Sequence, residues 1–411
     1  MSRSVKILSN IYPWYLPRRN RELRTNVDIC AIERYDIDIK VEVVRSLRSA
    51  LIGNTSWAVQ YGLGYLGVAK CYEESYIARV AIGTNWIPAG YVKRVKPDLL
   101  FCHEYIPLNA ERLQCPIFYE TAVGERQVLK NYRPGWDEDK IDRRYSADWR
   151  FLDWCAQRSA CVNVREPEGA RLAATRLPDH RDKFVAIPPL LTYVEPLDYA
   201  AVVEKQQAEK VDLVFVGNQA RRKGLPILVR AMKELPTKIR ERVRLVVVSQ
   251  FLDGPVVEVA DVAEVCQGGR IEMSELFSKS EKQGPLTFKE IEVLLRKSQI
   301  FILPTSADTF GYVFIEAMAA GCAIVGPNKG PQRYILDDGN AGVMCDVTNV
   351  RELAGAIEHL VIDRQFRARI AENGYRRFLS TFHHSVVGKQ YATEFRNIAE
   401  KWNGRMMASG R

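Results

Sequence analysis

Short β-branched runs alternate along this chain with longer stretches of helical apolar spacing, and few architectures accept that alternation. It is the pattern of parallel sheets covered by helices on both faces. In the first half, Val5–Ser9, Asp98–Cys102, Pro116–Tyr119 and Ala160–Val164 read as strands. Arg144–Arg158 reads as a helix with Phe151, Leu152 and Cys155 on one side. In the second half, Val211–Val216, Val243–Ser249, Gln299–Leu303 and Ala323–Gly326 read as strands. Gly224–Leu235, Phe288–Lys297, Phe314–Ala320, Val350–Asp363 and Arg364–Leu379 read as helices, the third closed by Gly321. Tyr391, Phe395, Ile398 and Trp402 mark one more helix near the C-terminus.

A length of 411 residues allows two domains of ordinary size, each with its own core. The join is expected near Pro188–Lys210, where prolines give way to a polar run. The expected fold is α/β, with two Rossmann-like doubly wound domains facing a central cleft. The first spans residues 1–195 and is joined by a C-terminal helix at about 388–411. The second spans 208–387. Open α/β sheets bind ligands at the C-terminal ends of their strands, which suits one domain to a donor and the other to an acceptor.

No apolar run reaches the ~18 residues of a transmembrane helix, and the apolar part of the N-terminus is too short for a signal-peptide core. The nine cysteines form no C-x-x-C pair and read as buried hydrophobes in a reducing cytoplasm. The five histidines lack metal-ligand spacing, so no metal site and no cofactor is expected. The net charge of +9 suits phosphates or an anionic membrane surface. Arg18, Arg19, Arg21 and Arg24 cluster, as do Lys93, Arg94 and Lys96, and a solvated face explains either group equally well. No interleaved basic and aromatic motif supports a nucleic-acid partner.

Three segments carry chemistry. The first runs Pro304-Thr-Ser-Ala-Asp308-Thr-Phe310-Gly311-Tyr312-Val313-Phe314-Ile315-Glu316-Ala-Met-Ala-Ala-Gly321. A strand stops at a proline, and a glycine-containing turn leads straight into a helix, a natural phosphate seat. Gly311 lets a pyrophosphate approach the backbone. Glu316 can accept ribose hydroxyls or simply complement the helix dipole, and Asp308 can equally cap a turn. The second is Val214-Phe-Val-Gly217-Asn218-Gln-Ala-Arg221-Arg222-Lys223-Gly224, whose cations can neutralise a departing diphosphate. In the third, Gly326–Gly342, Arg333 reads as a surface partner of Asp337 or Asp338. Asp36-Ile-Asp38 has the spelling of a metal motif, but alternation makes it a solvent-facing strand.

An acid, seven residues, then Glu, preceded by Pro-Thr and followed by Ala-Met-Ala-x-Gly, resembles the donor-site motif of glycosyltransferase family 4. That family is retaining and has the GT-B fold. The resemblance covers about residues 208–380 and extends to the rest mainly by element order. It implies that Glu316 holds the nucleotide ribose and that Asp308 lies at the donor sugar. Gly311, Tyr312 and Val313, after Phe310, would face the phosphates, and Lys223 with Arg222 would stabilise the leaving group beside Gly217 and Asn218.

This chain departs from the family at several places. Asp308 replaces the usual Glu, and Asn218 stands where many members have Arg. The loop Asn10–Pro17 lacks a Gly-Gly pair and offers Tyr12, Trp14 and Tyr15. The segment after Tyr119 lacks the usual His, which leaves Glu120 and His103 as acceptor-side candidates.

The expected protein is a metal-independent glycosyltransferase in the cytoplasm or at the inner membrane face. It would take a UDP- or GDP-linked sugar and a glycan or lipid-linked acceptor, in polysaccharide or glycoconjugate synthesis. The alternatives are a nucleotide-sugar-binding protein of the same fold without transfer activity, and a nucleotide-sugar epimerase.

Overall fold

The computed structural model describes residues 4–10, 29, 31–36, 38–43, 84–85, 87–104, 106–217, 220–248, 270–273 and 288–408. The chain divides into two units, Met1–Thr192 with His384–Arg411, and Tyr193–His383. Asn218, Tyr12, Trp14, Tyr15 and the Arg18–Arg24 cluster lie outside the described residues.

The first unit is built on a six-stranded sheet of β1 (Val5–Asn10), β2 (Ile39–Val43), β3 (Leu99–His103), β4 (Ile117–Glu120), β5 (Cys161–Asn163) and β6 (Phe184–Val185). Its order is β2-β1-β3-β4-β5-β6, and every pairing is parallel. Strand pleating sends alternate residues to opposite faces. Leu8, Leu100, Cys102 and Tyr119 join Phe151, Leu152 and Cys155 in one core cluster. Ile7, Leu99, Phe101 and Phe118 join Tyr391, Phe395 and Ile398 in the other. The ring centroids of Phe118 and Phe395 lie 5.1 Å apart at 89°. The strands are therefore apolar on both sides because both sides are covered.

Two helices answer to local signals. The long helix begins earlier than its apolar stripe suggests, at Glu138, because Asp137 caps it by accepting from the Lys140 N–H at 2.8 Å. Pro167–Arg176 is a further helix, with Glu166 as its cap and Pro167 in its first turn. Helix His384–Ala408 carries the apolar stripe Tyr391–Ile398 and is also tied by charge, since Arg396 Nε lies 2.5 Å from Asp36 Oδ2. Asp36 is thus an anchor ahead of β2 and not part of a solvent-facing strand.

The second unit repeats the theme with β7 (Val211–Val216), β8 (Val243–Val248), β9 (Arg270–Met273), β10 (Ile300–Ile302), β11 (Ala323–Pro327) and β12 (Val343–Cys345). The order is β9-β8-β7-β10-β11-β12, again all parallel. The chain moves outward from β7 to one edge, then returns to β10 on the other side of β7. That reversal is a topological switch point, where the loops after β7 and β10 diverge and leave a crevice. With this architecture in both units, the fold is GT-B.

The stretch read as a join, Pro188–Lys210, contains regular structure. Tyr199–Lys205 is a helix capped by Asp198, and Gln206 is buried. Gln206 Nε2 donates to the Gly321 carbonyl at 2.8 Å, and the fully buried Arg367 donates to the carbonyls of Gln206, Ala208 and Leu360 at 2.8, 2.7 and 3.0 Å. Six cysteines among the described residues, Cys102, Cys115, Cys155, Cys161, Cys322 and Cys345, are buried. Burial, with Asp98 nearby, pushes the Cys115 thiol up to about 12. No helix among the described residues is long and apolar enough to cross a membrane.

Candidate active site

Two loops meet at the switch point of the second unit. The loop after β7 starts at Gly217, whose N–H donates to the Val248 carbonyl at 2.9 Å. A methyl group on Gly217 would lie 2.9 Å from Lys223 Cγ, so the lysine stem runs across this glycine. The short helix Ala220–Lys223 follows, and then Gly224 at φ +88 caps the helix Leu225–Glu234. The loop after β10 passes Pro304 and reaches Gly311, which caps Tyr312–Ala319 at φ +99. The left-handed backbone at both glycines is one that other residues adopt only at a cost.

The loops are fastened to each other. The Ser306 N–H donates to the Arg222 carbonyl at 2.9 Å, and Arg222 Nη1 donates to the Ala307 carbonyl at 2.5 Å. Lys223 Nζ donates to Asp308 Oδ2, an ion pair with side chains only 12% and 10% exposed. The structure therefore brings Gly217, Arg222, Lys223 and Asp308 together, although 85 residues separate the two charges.

Helix Tyr312–Ala319 starts two residues before its apolar stripe suggests, because Gly311 allows an abrupt entry and the Phe314 N–H reaches the Gly311 carbonyl at 3.0 Å. Phe310 is buried, and its carbonyl accepts from Gln332 Nε2 at 3.0 Å. The N–H groups of Tyr312 and Val313 belong to the first turn, where the helix supplies no acceptor. Together with the dipole they favour an anion. Glu316 is partly buried and accepts from the Tyr193 hydroxyl at 2.8 Å. Tyr193 was missed by the sequence reading, since no local pattern links it to a helix 123 residues away.

Arg333 pairs with Asp338 at 2.8 Å on the surface, as the sequence suggests. An open recess of about 510 Å³ lies beside the same loops, against Arg221, Arg230, Pro304 and Thr348. Asp308, Gly311 and Glu316 do not line it.

His103 and Glu120 lie in the first unit, at the ends of β3 and β4. The parallel register places His103, Glu120 and Asn163 side by side on three strands. His103 Nδ1 lies 2.8 Å from Glu120 Oε1. Asn163 Nδ2 donates to Glu120 Oε2 at 3.1 Å, and the Tyr391 hydroxyl donates to the same oxygen. Burial raises the Glu120 pKa, but His103, Arg165 and Tyr391 outweigh it and bring the carboxyl down to about 2.

Residues 201–377 match the family model described as Glycosyl transferases group 1. A stretch of 93 residues, 22% of this chain, is 31% identical to 27% of the lipopolysaccharide core biosynthesis glycosyltransferase LpsE of Rhizobium meliloti. Another of 192 residues, 47% of the chain, is 23% identical to 46% of the N-acetyl-alpha-D-glucosaminyl L-malate synthase of Bacillus anthracis. The chain thus spans less than half the length of these curated relatives. Among solved structures, Anabaena Alr3699/HepE in complex with UDP and glucose superposes with a TM-score of 0.55 at 16% identity, over 96% of this chain and 100% of that one. The sucrose-phosphate synthase of Thermosynechococcus elongatus gives 0.53 at 19% identity, over 75% of each chain.

Proposed function

We infer that this chain is a glycosyltransferase that moves a sugar, with retention, from a UDP- or GDP-linked donor to a glycan or lipid-linked acceptor. The observation that carries this reading is the pairing of Lys223 with Asp308 across the two loops of the switch point, the second of which runs on through Gly311 into the helix that bears Glu316. The family match over the same residues and the transferase names of its relatives support it. In this reading the second unit holds the donor and the first holds the acceptor. The protein works in the cytoplasm or at the inner face of the membrane, in polysaccharide or glycoconjugate synthesis.

Each residue has a task in the reaction. Glu316, steadied by Tyr193, accepts the two ribose hydroxyls. The first-turn N–H groups of Tyr312 and Val313 bind the diphosphate, which approaches closely because Gly311 has no side chain. Lys223 leaves Asp308 for the phosphates, and Asp308 then takes a hydroxyl of the donor sugar. The bond from the anomeric carbon to the diphosphate oxygen breaks, and its electron pair leaves with the nucleoside diphosphate. Lys223 neutralises that charge, and Arg222 holds the loop that carries Asp308. The acceptor oxygen bonds to the anomeric carbon on the face just vacated, and its proton passes to the departing phosphate.

The test is turnover across a panel of UDP- and GDP-sugars with glycan and lipid-linked acceptors. One donor should be consumed, in EDTA as in its absence, and Lys223→Ala or Glu316→Ala should abolish consumption with the fold intact. Loss of activity in EDTA, or normal turnover in either variant, would overturn the assignment. Donor binding without hydrolysis or transfer would mark a binding protein instead.

A further inference from the structure

The strand ends of the first unit carry a polar cluster that donor chemistry in the second unit does not use. Part of it is structural. Asn163 Nδ2 donates to the Ile187 carbonyl at 2.9 Å and lies 3.0 Å from the Tyr391 hydroxyl, which ties the C-terminal helix to the sheet. His103 is not needed for that tie. Its side chain is 15% exposed, and its Nδ1 faces a carboxylate with only 2% exposure. A carboxylate only accepts, so neutral His103 carries its proton on Nδ1 and keeps a lone pair on Nε2. Among the described residues Nδ1 is the ring nitrogen with a partner.

The backbone around the pair is strained. Glu104 follows His103 at φ 58, and Arg165 stands two residues after Asn163 at φ 70. Neither is glycine, and such values persist only where the surroundings enforce them, most often at binding sites. The two are joined, with Arg165 Nη2 donating to Glu104 Oε1 at 2.7 Å, and Thr121 Oγ1 donating to Glu104 Oε2 at 3.2 Å. Arg165 Nε also lies 3.6 Å from Glu120 Oε1. Both carboxylates thus close on one guanidinium, which is engaged on either side. A phosphate placed here would meet two carboxylates whose guanidinium is already engaged, whereas an uncharged hydrogen-bond donor would meet acceptors.

We propose that His103 recognises the acceptor, its Nε2 accepting a hydrogen bond from a neutral sugar hydroxyl, with Glu120 fixing the tautomer. This rests on the transferase reading and adds that the acceptor presents an uncharged carbohydrate hydroxyl, not a phosphate, to the first unit. Histidine nitrogens in the full chain can be observed by long-range ¹H–¹⁵N NMR, with His103→Asn identifying the signal. The probes are methyl α-glycosides of glucose, galactose, mannose and N-acetylglucosamine, and glucose 1-phosphate as the anionic comparison. The expected result is an Nδ1–H tautomer whose Nε2 resonance moves with at least one methyl glycoside and less with glucose 1-phosphate. An Nε2–H tautomer, no response to any glycoside, or a stronger response to glucose 1-phosphate would overturn the proposal. UDP binding to the same samples separates the two readings. It should survive His103→Asn within about two-fold, a change well under the ~1.4 kcal/mol of a ten-fold effect, whereas its absence from the wild type would count against the transferase reading alone.

Discussion

Gly224→Ala is the sharpest single perturbation of the loop pair. Gly224 sits at φ +88, and a methyl group there would lie 2.0 Å from the Pro304 carbonyl oxygen and 2.7 Å from its carbon. Both obstacles are backbone, so no side chain can swing aside. The left-handed conformation costs an alanine about 1 kcal/mol. Forcing the two loops apart adds about 2 kcal/mol, in the range of other overpacked sites. A total of roughly 3 kcal/mol lowers the melting temperature of a unit this size by roughly 6–12 °C. Gly355→Ala is the control. Gly355 lies within the helix Val350–Ile362 with nothing within 4 Å of the added methyl, so it should gain up to about 1 kcal/mol. The assay is thermal unfolding followed by circular dichroism, with and without UDP. Gly224→Ala should melt early and lose the shift given by UDP, because Lys223 and Asp308 no longer share one frame. A variant that melts within about 1 °C of the wild type and keeps its UDP response would refute the close-packing argument.

Two further outcomes follow from buried charge. The Glu120 carboxyl is held at about 2, below its ordinary 4.5, so its stabilisation is present above pH 4.5 and disappears as the pH falls towards 2. The lowering corresponds to on the order of 3 kcal/mol. Acid unfolding of the first unit should therefore flatten in Glu120→Gln, and an unchanged acid limb would refute this. Arg367→Met should destabilise the second unit by roughly 3–5 kcal/mol, since two buried carbonyls and a half-buried one lose their donor. Urea unfolding checks it, and a loss below about 1 kcal/mol would count against the anchoring role of Arg367.

Much of the fold was legible because its causes are local. Val211–Val216 and Phe288–Lys297 were read with the boundaries they have, since an unbroken apolar run and a helical stripe each report their own burial. Helix Tyr312–Ala319 was read two residues late because an aromatic and a β-branched residue open it, and only the left-handed cap at Gly311 reveals the true start. The helix Tyr199–Lys205 was missed for a different reason. Its seven residues lie between prolines and a polar run that together look like a linker, and the burial of the next residue, Gln206, depends on Arg367, 161 residues further on. The site divides along the same line. Lys223, Asp308, Gly311 and Glu316 were visible because strand end, turn and helix start are consecutive in sequence. Tyr193 on Glu316 and Tyr391 on Glu120 were invisible, since these contacts span 123 and 271 residues and no periodicity encodes them.

The central claim is that the loops after β7 and β10 bind a nucleotide sugar, with Glu316 on the ribose. Isothermal titration of UDP-glucose and GDP-mannose into the wild type, Glu316→Ala and Lys223→Ala tests it most directly. One of the two nucleotide sugars should bind the wild type. Removing a carboxylate that accepts ribose hydroxyls costs about 1.5–3 kcal/mol, so Glu316→Ala should weaken binding by roughly ten- to hundred-fold. Lys223→Ala should weaken it as well. Equal affinity in all three proteins, or binding of neither nucleotide sugar, would contradict the account.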